Sequence, residues 1–175
     1  MTATASASLL IRPATQADVP AIGRLLASLS HLCTVHPDGR DAERFLQGIA
    51  PAAIAGFIAS PAYHYLVGEL DGELAGVIAL RDNTHLFHLF VDARFQQRGL
   101  ASRLWAHIRQ HALDNGNPDE FTVNSTLGAV PVYSRFGFAP VSGPIVEDGI
   151  RYIRMRYPGV TAGGTAAYLG AGEDS

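Results

Sequence analysis

The chain has a single cysteine, Cys33. No internal disulfide can form, and a buried or incidental thiol is the expectation for it rather than a nucleophile. Long hydrophobic runs are missing too. Nowhere do about 18 uninterrupted apolar residues occur, so no membrane-spanning helix is expected. The opening "MTATASASLLIRPAT" has no basic leader and no apolar stretch of signal-peptide length, which points to a cytoplasmic protein. An excess of basic residues is also absent. With 13 Lys and Arg against 16 Asp and Glu the formal net charge is -3, which leaves no electrostatic footprint for general nucleic-acid binding.

What is present is an ordinary globular composition, 47% hydrophobic and 17% charged over 175 residues. That length supports one domain with a substantial core and no staples. The domain is expected over residues 1–157. The remainder, 158–175, reads "PGVTAGGTAAYLGAGEDS", rich in Gly and Ala with little to bury, and is expected to be a mobile tail.

Periodicity supplies the elements. "SLLIR" (8–12) reads as a strand closed by Pro13. Val19, Ile22, Leu25, Leu26 and Leu29 recur at helical spacing after candidate caps between Thr15 and Asp18. Two more helical pieces follow at 40–49 and 51–59, the second apolar enough to be packed rather than exposed. "YHYLVGEL", "ELAGVIALR" and "HLFHLFV" are three strands joined by Asp71-Gly72 and Asp82-Asn83, which favour the positive φ of tight hairpins. A helix runs from 98 to about 114, a strand over 120–125, and a short helix over 129–136. "FGFAPV" and "GIRYIRMRY" end the pattern as strands. The order describes a layered α/β (α+β) domain: a mixed, mostly antiparallel sheet of about seven strands with helices on both faces.

One turn stands out. "LFVDARFQQRGLASRLW" leaves an apolar strand and enters an amphipathic helix through Gln96, Gln97, Arg98, Gly99, Leu100 and Ala101. It resembles the acyl-CoA signature of the GNAT N-acetyltransferase superfamily, a [QR]xxGx[GA] turn after a strand ending in Val. Downstream, "NSTLGAVPVYSRFGF" is similar to the family's second landmark, a short helix carrying a Tyr ahead of a Gly-Phe strand start, here Tyr133, Gly137 and Phe138. The likeness spans residues 8–157.

The resemblance implies acetyl-CoA as co-substrate and an amine as acceptor, attacked directly in a ternary complex. A helix N-terminus with unpaired N–H groups suits a pyrophosphate, Gly99 and Ala101 permit close approach, and Arg98, with Arg94 and Arg103 behind it, supplies positive charge. In the family an N–H at the end of the fourth strand, here near Phe90 or Val91, points at the thioester carbonyl. Tyr133 takes the place of the usual general acid. Many relatives carry a Glu on that strand as base, whereas this strand offers His85 and His88. Their odd spacing puts them on opposite faces unless a bulge intervenes, and His88 is the favoured one. Asn124, at the end of the fifth strand, is a candidate for holding the pantetheine; relatives place their Asn about where Thr126 stands.

The lack of a Cys at the fourth strand or near Tyr133 in the sequence argues against an acyl-enzyme. His31, Cys33 and His36 cluster, and His107 and His111 share a helix face, but neither makes a set of three or four ligands, so no metal is expected. His31 and His36 fall in the loop that lines the acceptor pocket in relatives. Acceptors from small amines to protein amino groups stay open, as does a homodimer. No nucleic-acid or membrane partner is expected. The competing reading is a non-catalytic acyl-CoA-binding or regulatory domain; weaker still is a similar fold whose turn binds another phosphate ligand.

Overall fold

The computed structural model describes residues 8–159, so the expected tail over 158–175 lies outside the described residues from position 160 onward. The elements are β1 (Leu9–Pro13), α1 (Val19–Leu29), α2 (Glu43–Gly48), α3 (Pro51–Ala59), β2 (Tyr63–Leu70), β3 (Glu73–Arg81), β4 (His85–Val91), α4 (Leu100–Asp114), β5 (Phe121–Ser125), α5 (Val130–Phe136), β6 (Ala139–Pro140), β7 (Ile145–Glu147) and β8 (Ile150–Tyr157). The three meander strands occupy the expected residues. Asp71 and Gly72 adopt φ of 50° and 82°, and Asp82 and Asn83 51° and 58°, as hairpin turns of this twist require.

The sheet has eight strands in the order β1-β2-β3-β4-β5-β8-β6, with β7 also paired to β8. The strand missed by pattern is β7, three residues long, joined to β8 by a turn at Asp148 and Gly149 with φ of 49° and 73°. Every pairing is antiparallel except β4 with β5.

Two cores sandwich the sheet. On one face Ile22, Leu26, Ile54, Tyr65, Val67, Val77 and Ala79 join α1 and α3 to β2 and β3. On the other, Leu104, Trp105 and Ile108 of α4 pack with Leu66, Ile78, Leu86, Phe121, Val123 and Met155, and Tyr133 brings in α5. Gly76 permits that approach: a Cβ there would stand 2.9 Å from the Phe90 carbonyl and 3.3 Å from Leu104. α3 is less packed than its composition suggests. Only Ile54 is wholly buried, because the helix lies on the sheet by one face, and Pro51, Ala52, Gly56 and Ala59 face outward.

α1 is anchored where its cap signals predicted. Thr15 and Asp18 form a reciprocal capping box in the turn before it, and Asp18 also receives two 2.8 Å hydrogen bonds from Arg12 of β1. Arg12 reaches on to Glu69 at 2.7 Å, which fixes the start of α1 over the β1–β2 edge.

Candidate active site

The parallel pair sets the geometry. β4 and β5 are in register only at His85 with Thr122 and Leu86 with Val123. Beyond that point each strand stays bonded to its outer neighbour, β4 to β3 as far as Val91 and β5 to β8 as far as Ser125. The inner edges therefore part, and backbone groups that a sheet would pair are left facing a wedge. The Asp92 N–H donates to the Ala75 carbonyl at 2.8 Å. By strand alternation Phe90 then points its N–H at β3, while the N–H groups of Leu89 and Val91 point into the wedge. Of the two positions expected for a backbone donor, Val91 has the right direction, and Leu89 joins it. Phe90 contributes its ring to the α1–α3 core.

A bulge sits where the strands part. Ala79 pairs with His88 and Leu80 with Leu86, so Phe87 is the extra residue in β4. It turns the rings of Phe87 and His88 to one side, stacked with centroids 4.3 Å apart, and brings His85 and His88 onto the same face of the sheet. The two imidazoles sit in different surroundings. His88 is buried, its Nδ1 2.9 Å from the Tyr65 hydroxyl, with Phe57 and Phe90 edge-on to its ring. Burial pushes its pKa down to about 3. His85 is half-buried, its Nδ1 2.8 Å from Thr122 Oγ1; burial, then the charge of Arg81, lowers its pKa to about 4. Both rings are neutral near pH 7.

At the wide end of the wedge the chain turns into α4. Asp92 accepts from the Arg94 N–H at 2.9 Å, and Gln96 donates to the Val91 carbonyl at 2.9 Å, so Gln96 closes off one free acceptor of β4. Gln97 and Gly99 both take left-handed φ, 62° and 76°. Nothing lies within 4 Å of where a Gly99 Cβ would stand, so the space ahead of α4 is open. No side chain caps the helix, and its first backbone bond runs from the Arg103 N–H to the Gly99 carbonyl. The N–H groups of Leu100, Ala101 and Ser102 are thus free of helical acceptors, at the positive end of a helix of 15 residues. Leu100 buries its side chain against Leu70 and Ala75, leaving only its backbone to the turn.

The arginines divide. Arg94 is held by Asp92 at 3.1 Å and faces Glu73 at 3.6 Å. Arg98 lies over the Phe95 ring at 5.7 Å with no carboxylate in ion-pair reach among the described residues. Arg98 is therefore a free cation at this turn, and Arg103, exposed in the first turn of α4, likewise has no carboxylate in ion-pair reach among the described residues. A pyrophosphate fits this cradle.

Tyr133, on α5, is 7% exposed. Its hydroxyl takes part in none of the side-chain hydrogen bonds among the described residues. Burial, and then the nearby Cys33 thiol, raise its pKa above the ordinary tyrosine value. The expectation that no cysteine stands near Tyr133 is corrected here: one a hundred positions away in sequence is adjacent in space. Burial pushes the Cys33 thiol up to about 11, so it is protonated at neutral pH and no thiolate is ready to take an acyl group.

Cys33 belongs to the connection between α1 and α2, which is strapped to the end of β8. The Val35 N–H donates to the Gly149 carbonyl at 2.8 Å, and the Arg151 N–H to the Cys33 carbonyl at 3.3 Å. A small pocket, about 170 Å³, opens between this strap and Leu127 and Gly128 ahead of α5.

The remaining candidates are placed as follows. Asn124 is exposed at the end of β5, on the α1–α3 face, with Arg154 as its β8 partner. Ala101 is half-buried in the first turn of α4. His31 is exposed. His36 meets Arg40 at 3.2 Å on the strap. His111 stacks on His64, centroids 3.5 Å apart, instead of turning to His107 as a chelating pair. Among the described residues no group of three or more His, Cys, Asp or Glu could hold a metal ion.

Comparison with known proteins gives the family and the fold. A family model described as an acetyltransferase (GNAT) domain matches residues 33–158. No curated protein matches. Among solved structures, the PaiA N-acetyltransferase of Thermoplasma acidophilum, in complex with coenzyme A, superposes with a TM-score of 0.70 at 14% identity, covering 85% of this chain and 98% of that one. The ribosomal-protein-S18-alanine N-acetyltransferase of Escherichia coli gives 0.64 at 18%, covering 90% and 98%. An acyl-CoA N-acyltransferase of Pseudomonas aeruginosa gives 0.61 at 18%, covering 86% and 99%. With a matched family model over most of its length and this fold, the chain belongs to the GNAT acetyltransferase family.

Proposed function

We propose that the protein transfers an acetyl group from acetyl-CoA to an amine by direct attack in a ternary complex. The observation that carries this is the split between β4 and β5. It runs from the uncapped N-terminus of α4 toward α5, which holds Tyr133, and it is edged by unpaired backbone N–H groups. Pantetheine is a thin chain with two amides, suited to a slot edged by peptide groups, and the α4 amides with Arg98 and Gly99 would hold the pyrophosphate. Asn124 would contribute from the β5 side. Of the two N–H groups facing the wedge, that of Val91 would bind the pantetheine and that of Leu89, nearer the histidines, would stabilise charge on the thioester oxygen. The amine nitrogen attacks the carbonyl carbon; a C–N bond forms, the C–S bond breaks, and Tyr133 gives its proton to the departing sulfur. The amine proton goes to a neutral imidazole or to water.

Between the histidines, His85 is the better base. It is only half-buried, its Nδ1 bonded to Thr122 Oγ1, while His88 is buried among aromatic rings and bonded to Tyr65. The protonated Cys33 thiol supports direct attack over an acyl-enzyme.

A cytoplasmic setting, where acetyl-CoA is made and spent, belongs to the same proposal; no helix among the described residues is long and apolar enough to cross a membrane. The second reading, an acyl-CoA-binding domain without turnover, is favoured by one observation: β4 carries no carboxylate, and both of its histidines are weak bases. Calorimetry with acetyl-CoA followed by thiol release over a panel of amines separates the two. Binding with amine-dependent release supports transfer, binding without release across the panel supports the second reading, and failure to bind excludes both.

A further inference from the structure

The α1–α3 face of the sheet is covered unevenly. Over β2 and β3 it is buried under α1 and α3, but over β5 and β8 the residues alternating with buried Val123 and Met155 are Thr122, Asn124, Arg154 and Arg156, all exposed. The registers join these residues to the site. One row crosses five strands, Tyr63 beside Arg81, Arg81 beside His85, His85 beside Thr122, and Thr122 beside Arg156. The next row has His88 on one side of the wedge and Asn124 with Arg154 on the other. The bare floor thus opens onto the place where β4 and β5 separate.

Three arginines, Arg81, Arg154 and Arg156, border it in a protein whose net charge is -3. Arginines with a structural job here are clamped: Arg12 to Asp18 at 2.8 Å and Glu69 at 2.7 Å, Arg109 to Asp119 at 2.6 Å. Those of the floor are not. Arg156 has Glu120 at 3.7 Å and Arg81 has Asp82 at 3.9 Å, each across exposed side chains. Arg154, nearest the wedge, has no carboxylate within ion-pair reach among the described residues. Its backbone is fixed all the same, its N–H donating to Ser142 Oγ at 3.0 Å and its carbonyl accepting from the Val141 N–H at 2.8 Å. An exposed, unpaired guanidinium carried on a fixed strand beside the mouth of the wedge suits a carboxylate, whose two oxygens match its fork.

From this we infer that the acceptor is a small amine that also bears a carboxylate, an amino acid in the broad sense, and that Arg154 is the specificity-determining residue that binds that carboxylate. The inference rests on the acetyl-transfer reading. Polycationic acceptors are disfavoured by the same floor, since each added ammonium meets like charge.

The test is a set of matched acceptors given to the full chain with acetyl-CoA: free amino acids, their C-terminal amides and the corresponding decarboxylated amines. Thiol release is the readout. The free acids should exceed amides and decarboxylated amines in kcat/KM by roughly ten- to a hundredfold, the worth of a charge-assisted hydrogen bond. Arg154→Gln should bring the classes near parity by raising KM for the acids alone, with the KM for acetyl-CoA unchanged; Arg154→Lys should restore part of the preference. Turnover of amides or decarboxylated amines at parity with the acids, or a preference that survives in Arg154→Gln, overturns this inference and leaves acetyl transfer standing. Absence of amine-dependent release with every acceptor tested defeats the acetyl-transfer reading and this inference with it.

Discussion

The Tyr65 hydroxyl and His88 Nδ1 lie 2.9 Å apart, a buried hydrogen bond from β2 to β4 across β3, on the face covered by α1 and α3. Tyr65 and His88 both pair with Ala79 of β3, from either side. The bond satisfies a ring that the bulge at Phe87 has turned into an aromatic core.

Acid should therefore loosen the fold well before its carboxylates titrate. His88 has a folded pKa of about 3 and an ordinary value of 6.5, so the unfolded chain binds the proton first. Stability from this group is full above about pH 6.5 and falls as pH drops toward 3. Between pH 7 and 5 the loss is about 2 kcal/mol for a buried histidine of this kind. His88→Gln, which keeps a partner for Tyr65 and cannot titrate, should lessen the fall in chemical denaturation measured at both pH values by about that amount, leaving the share of His85 and His64, whose pKa values burial also lowers to about 4. An unchanged slope would contradict the burial account.

The same shifts predict a quiet pH–rate profile. With His85 at about 4 and His88 at about 3, neither gains a proton between pH 6 and 9. The rise of rate with pH in that range should come from deprotonation of the acceptor amine and move with the amine's own pKa. It should persist in His85→Ala, whose kcat is expected to fall about tenfold as a weak base is lost. A limb that vanishes in that variant would show an imidazole titrating near neutrality.

At the turn, Arg98→Ala should raise the KM for acetyl-CoA about tenfold, a single charge-assisted phosphate contact, while Arg94→Ala should do little because Asp92 and Glu73 already engage it. Gly99→Ala meets no atom but must hold φ of 76°, costing about 1–2 kcal/mol, so it too should weaken acetyl-CoA binding. Equal effects of the two arginines would dissolve the distinction between them.

Gly149 tests the acceptor side. Its φ is 73°, and a Cβ there would run into the Asp41 carbonyl and the Ala42 nitrogen. Gly149→Ala should detach the strap over residues 33–35 from β8, raising the acceptor KM and leaving acetyl-CoA binding intact. Loss of acetyl-CoA binding in a folded variant would mean that the strap serves the donor.

Much of this was legible in sequence because it is local. Hairpin turns at Asp71 and Asp82, the cap at Thr15 and the Gln96–Ala101 turn depend on neighbours a few positions away. What escaped is set by pairing across the sheet. The bulge at Phe87 exists only relative to β3, and the wedge is a matter of where β4 and β5 stop pairing. The nearness of Cys33 to Tyr133 follows from the strap to β8. β7 is too short to show a period, although Asp148-Gly149 was a turn signal of the kind trusted elsewhere in the chain.

The most direct test is amine-dependent thiol release from acetyl-CoA by the wild type and by Tyr133→Phe, with acetyl-CoA affinity measured on both by calorimetry. The account predicts turnover in the wild type and a loss of about a hundredfold in kcat without the phenol, at nearly unchanged affinity. An unchanged rate in Tyr133→Phe would contradict it.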